Sequence, residues 1–171
     1  IYQVLECGGC GHVMFRKRFW FSEWQDCDPE GEPIYQDTYF PPPLFREKPK
    51  WFENLGETLS AVIEEVYVAI QNNTRYLAAV GARTALDIIL VDKVTDKGTF
   101  KNKLNALRNK GLVSESEKEM LEAVTETGHA AAHRGFIPAE KDLIVVMDIL
   151  ESIIEKLYIS ENRENELLQR A

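Results

Sequence analysis

After Trp51 the apolar residues recur at intervals of three and four, a spacing that allows little except helices packed on helices. Leu55, Leu59, Val62, Ile63, Val66 and Ile70 form one stripe and predict a first helix over about Leu55–Gln71. Asn72-Asn73-Thr74 breaks it, with Thr74 available as an N-cap. A second helix follows over about Arg75–Val94, where Leu77, Val80, Ala85, Leu86, Ile89 and Leu90 run beside a seam of Ala78, Ala79, Gly81 and Ala82. Thr99 caps a short third helix that passes through Leu104 and Leu107 to Lys110 and stops at Gly111. Ser114 and Glu117 match a capping box, so a fourth helix runs from there to Arg134. Pro138 opens a fifth, with Leu143, Val146, Met147, Ile149, Leu150, Ile153, Ile154 and Leu157 on its apolar face. The polar tail after Ser160 reads as a loosely packed extension. The pattern predicts a mainly α protein, an antiparallel bundle of four to five helices.

The chain before Trp51 is different material. Tyr2–Glu6 and Val13–Phe19 alternate as strands around the turn Cys7-Gly8-Gly9-Cys10-Gly11, and Ile34–Phe40 reads as a third strand. Pro41-Pro42-Pro43 then forces an extended segment that leads to the helices. The division expected is a small β module with a Pro-rich linker over 1–50 and a helical domain over 51–171.

At 171 residues the chain holds one ordinary core and a small satellite. A formal net charge of −8 argues against broad, non-specific binding to a phosphate backbone, though a local basic notch remains compatible with it. No apolar run is long enough to span a bilayer and no signal-peptide pattern appears. Three cysteines do not make a disulfide framework, so a cytoplasmic location is expected. The chain starts at Ile1 without a methionine, which reads as a piece of a longer protein with something upstream.

Cys7-x-x-Cys10 is half of a tetrahedral zinc site, and His12 and Cys27 are the further donors available. Either the missing pair lies upstream or the site is degenerate. A glycine turn with two idle cysteines is the plain alternative. A redox dithiol fits less well, because such a pair usually opens a helix and this one sits between strands. Arg16-Lys17-Arg18 among Phe15, Phe19 and Trp20 interleaves bases with aromatics as single-strand binders do, but the acids that follow favour a solvated strand. Arg83 and Asp87, four apart, are expected to form a salt bridge within the second helix. Arg83 is also a natural cationic neighbour for the fourth helix if the two pack through their alanine seams.

The segment Gly128-His129-Ala130-Ala131-Ala132-His133-Arg134-Gly135 places two imidazoles on one helix face among residues small enough for close approach, with Gly135 fitted to end the helix in the left-handed conformation. The notch around Gly128, Ala131, Ala132 and Gly135 is expected to face another helix at close range, either the second helix or a symmetry-related fourth helix. This segment, together with Tyr76-Leu77-Ala78-Ala79-Val80-Gly81-Ala82-Arg83-Thr84-Ala85-Leu86-Asp87, Lys101-Asn102-Lys103-Leu104 and Lys110-Gly111-Leu112-Val113, resembles the bacterial domain of unknown function 4145 (DUF4145). The resemblance covers roughly Leu55 to Tyr158. The Cys-Gly-Gly-Cys module is similar to the second half of a zinc ribbon that often precedes that domain, which implies structural Zn2+.

The resemblance implies a HEPN-like bundle, from a superfamily that includes metal-independent endoribonucleases of toxin and antiphage systems, working as dimers. Their signature is an Arg followed, after four to six residues, by a His. His133 matches the histidine, which would act as general base or acid toward a ribose 2′-hydroxyl, but the arginine positions hold Glu126, Thr127 and Gly128. The expected function is therefore a non-catalytic HEPN-like interaction and dimerisation module in a stress or antiphage-defence setting. Its partners would be a second copy, another protein or an upstream domain, and it has no membrane. The alternative is a metal-independent endoribonuclease that uses His133, His129 and Arg134 on RNA.

Overall fold

The computed structural model describes residues 1–8, 11, 13–21, 23, 27–40, 46 and 48–160. They fall into two compact units, Ile1–Phe45 and Arg46–Ala171. The Pro41-Pro42-Pro43 segment and the tail beyond Ser160 lie outside the described residues.

In the first unit, strands β1 (Tyr2–Glu6), β2 (Val13–Phe19) and β3 (Gln36–Phe40) form an antiparallel sheet in the order β1-β2-β3. Val4 stands opposite Phe15, and Phe15 opposite Phe40. Because side chains alternate across a strand, Val13, Phe15, Lys17 and Phe19 occupy the exposed face, whereas Met14, Arg16 and Arg18 occupy the half-buried one. Arg16 and Arg18 thus lie on the face away from Phe15 and Phe19, whereas Lys17 shares their face, its Nζ 5.9 Å from the centre of the Phe19 ring. Arg18 donates two hydrogen bonds of 2.8 Å to Asp37, and Arg16 bonds Gln3 through Nε at 3.0 Å. The Arg18–Asp37 fork holds the Asp37 carboxyl below its ordinary pKa.

The second unit opens with a short 3-10 helix, Lys50–Asn54, and continues as α1 (Glu57–Gln71), α2 (Arg75–Val94), α3 (Phe100–Asn109), α4 (Glu115–Arg134) and α5 (Glu140–Ile154), followed by a π-helical segment, Glu155–Ser160. The helix ends follow local chemistry. Thr99 Oγ1 accepts the Asn102 N–H at 3.2 Å, Ser114 and Glu117 form the reciprocal capping box, and Gly135 caps α4 at φ +64. Thr74 sits at the N-cap position of α2, but its hydroxyl donates back to Ala69 O at 2.9 Å and caps nothing.

Helix α2 is central, packed against α1, α3, α4 and α5. Its Ala78, Ala79, Ala82, Ala85, Leu86, Ile89 and Leu90 are buried, meeting Ile63 and Val66 of α1, Leu121 and Val124 of α4, and Met147 and Leu150 of α5 in one core. Small residues on α2 let the neighbouring backbones approach. A Cβ on Gly81 would lie 2.6 Å from Val66 Cγ2. Among the described residues no helix is long and apolar enough to cross a membrane.

Candidate functional site

The contact of α2 with α4 determines what the small-residue segment presents. Gly128 and Ala131 are buried, whereas Ala132, His133, Arg134 and Gly135 are exposed. Of the notch expected to face the second helix or a symmetry-related fourth helix, Gly128 and Ala131 thus lie on a packed side and Ala132 and Gly135 on an open one. At Gly128 there is no room for a side chain: an added Cβ would stand 2.8 Å from Ala79 O and 2.9 Å from Arg83 Cδ. The missing Cβ lets the stem of Arg83 pass across α4.

Arg83 does not pair with Asp87, contrary to the expectation of an intrahelical salt bridge. Asp87 accepts instead from Lys103 Nζ at 2.7 Å. The reason lies in α3, which folds onto α2 and buries the Lys103 side chain to 6% exposure; a buried ammonium requires a carboxylate. The hydrogen bond from Lys103 to Asp87 raises the lysine pKa above its ordinary value. Arg83, relieved of Asp87, stacks on the ring of Phe100 at 4.3 Å, and its Nε is buried with no hydrogen-bond partner.

Between α2, α3 and α4 lies a cavity of about 470 Å³ lined by Arg83, Phe100, Lys101, Thr125, Glu126 and His129, among others. Thr125 Oγ1 donates to Leu121 O at 2.7 Å, so that hydroxyl serves its own helix. Glu126 is bonded by the Arg134 guanidinium, and Glu122, also at the cavity, is paired with Lys118 at 3.3 Å.

The three residues suggested by the fourth helix thus occupy different surroundings. His129 is exposed and lines the cavity. His133 is exposed, stands outside the cavity lining, and keeps its ring 4.5 Å from that of His129. Arg134 is tied to Glu126 on the exposed side. Sequence reasoning missed Phe100 and Lys101. The available signal was Phe100 itself, an aromatic placed directly after the Thr99 cap of an otherwise polar helix.

Of the zinc candidates, Cys7 and Cys27 are exposed, whereas Cys10 and His12 lie outside the described residues. The Gly11 N–H donates to Cys7 O at 2.9 Å, and Gly11 takes a left-handed φ of +70. Cys27 belongs to a separate turn, bridged to Pro33, and among the described residues no three donors gather into a metal-holding group.

A second, more acidic cavity of about 540 Å³ involves Glu57, Asp87, Val91, Asp92 and Tyr158. Asp87 is taken by Lys103, and Tyr158 donates to Asp92 at 2.9 Å; burial together with that carboxylate pushes the phenol pKa up.

These features define a five-helix bundle whose central helix is sealed by small residues and whose α2–α4 contact opens into a polar cavity. Residues 53–170 match the family described as Domain of unknown function (DUF4145), and the chain belongs to that family. No curated protein and no solved structure matches the chain.

Proposed function

We propose that the helical unit is a non-catalytic HEPN-like interaction module that pairs with a second copy through the exposed end of α4, and that the N-terminal unit is a partial zinc-ribbon-like module. The observation that carries the first part is the state of the three positions where a ribonuclease of that superfamily would hold its phosphate-binding arginine. Gly128 is packed where no side chain fits. The hydroxyl of Thr127 is bonded to Ala123 O at 2.8 Å. Glu126 contributes a negative charge, which would repel a phosphate. His133 is therefore left without a cation at any of those three positions, and Arg134 beside it is tied to Glu126.

The pairing surface is supported by what surrounds His133. Ala132 is exposed and small, and beyond the Gly135 cap Phe136 and Ile137 remain 46% and 59% exposed. An apolar surface beside a small helical residue suits an isologous contact about a two-fold axis.

Light scattering on the purified protein is expected to show a dimer that Ala132→Glu converts to a monomer, and mixed RNA incubated without metal is expected to survive intact. A parent protein that is monomeric at every concentration would end the pairing reading. RNA cleavage that disappears in His133→Ala would replace it with the endoribonuclease reading.

For the zinc-ribbon-like module, elemental analysis after dialysis is expected to find clearly substoichiometric zinc, because the chain supplies one knuckle. A full equivalent retained would mean that Cys27 and a fourth donor close on the metal with Cys7 and Cys10.

A further inference from the structure

We propose that the cavity between α2, α3 and α4 is a binding site for a small molecule bearing an oxyanion, phosphate or carboxylate, with Arg83 as the main donor and Lys101 and His129 beside it. The inference does not depend on pairing through α4, since its main donors, Arg83 and Lys101, belong to α2 and α3.

The first ground is the state of Arg83. A guanidinium carries five N–H donors in a planar fork, yet this one makes no hydrogen bond or ion pair with any described residue, and its Nε is buried without a partner. Leaving a buried donor unsatisfied is unfavourable, because the water it gave up is not replaced. Stacking on Phe100 occupies the face of the guanidinium and leaves its edge for a ligand.

The second ground is that the fold holds the arginine there. Its stem crosses α4 at Gly128, where a side chain would collide with it, and its nearest acid along α2, Asp87, is taken by Lys103. The carboxylates at the cavity are also engaged elsewhere, Glu122 with Lys118 and Glu126 with Arg134. Arg83 and Lys101 are left as the uncompensated charges of the lining.

Size and field define the ligand further. About 470 Å³ accommodates a molecule of metabolite size around the anionic group. The rim glutamates and the net charge of −8 disfavour a polyanion such as an RNA backbone and leave a compact anion as the best match.

The test uses inorganic phosphate and acetate as separate probes, followed by NMR of the arginine Nε–H and histidine ring signals. Saturable shifts confined to Arg83, His129 and Phe100 are expected with at least one probe, and the tighter probe identifies the source as phosphoryl or carboxyl. Arg83→Met keeps the stem across Gly128 but removes the fork, and Lys101→Glu reverses a charge at the exposed edge; each is expected to weaken binding by about tenfold or more. If Arg83→Met fails to fold, Lys101→Glu decides alone. The proposal is overturned by absence of saturable shifts with both probes, or by affinity unchanged in the folded variants.

Discussion

Gly128→Val is expected to be among the most damaging single substitutions in the helical unit. Two effects of opposite sign compete at this position. Removing a glycine from a helix interior gains about 0.5–1 kcal/mol of backbone entropy, less for a β-branched residue than for alanine. Against that, a Cβ would lie 2.8 Å from the backbone oxygen of Ala79, which cannot rotate away, and 2.9 Å from Arg83 Cδ. Relieving both contacts means separating α4 from α2, whose facing residues Ala78, Ala79 and Ala82 are fully buried. Overpacking of this kind costs about 3 kcal/mol, or a fall of about 6–12 °C in Tm for a chain of this size. The same substitution at exposed Ala123, one turn earlier on α4, is expected to change stability by no more than about 0.5 kcal/mol. Thermal denaturation of the two variants side by side is the measurement. A Gly128→Val protein that melts with the parent would show that the helices do not approach as closely as described.

The contrast between those two alanine and glycine positions also shows where sequence reasoning succeeds and where it stops. Helix ends were legible because their determinants lie within a few residues: Ser114 with Glu117, Thr99 with Asn102, and Gly135 at positive φ. The strands Tyr2–Glu6 and Val13–Phe19 were legible for the same reason. Thr74 shows the limit of local rules, since its hydroxyl could have accepted from a helix N–H ahead of it but instead donates to the carbonyl of Ala69.

Faces and partners are decided by tertiary packing. The stripe of small residues around His133 does not itself say which side is buried; the crossing at Gly128 and Ala131 does. Asp87 is within helical reach of Arg83, but the arrival of Lys103 from α3 determines its partner. The cavity next to Arg83 exists only because Phe100 and Lys101 come from a different helix, so no spacing within α2 or α4 could have located it.

Glu151→Ala is expected to destabilise the helical unit by a similar amount for a different reason. Arg46, only 18% exposed, bonds both oxygens of Glu151, at 2.6 and 2.7 Å, and Tyr67 of α1 donates its hydroxyl to Oε1 at 2.5 Å. One carboxylate thus joins the segment entering the bundle, α1 and α5. Hydrogen bonding to Glu151 raises the Arg46 pKa, and burial, with the carboxylate beside it, raises that of Tyr67. Removing the carboxylate strands a largely buried guanidinium that keeps only its contact with exposed Asp148, and leaves the phenol without its acceptor. Breaking such a pair costs about 3 kcal/mol. The sign of the pH dependence follows from Tyr67. Its folded pKa lies above the ordinary 10.0, so its contribution is fully present below pH 10.0 and is lost as the pH rises through the folded value. The parent should therefore lose stability in strong alkali, and Tyr67→Phe, which has no proton to lose, should lose less of it; Tyr158 and Lys103, raised in the same direction, contribute to what remains. Urea denaturation of parent, Glu151→Ala and Tyr67→Phe at neutral pH and above pH 10 measures both effects. Equal midpoints for parent and Glu151→Ala at neutral pH would mean that the network contributes nothing to holding Arg46 against α5.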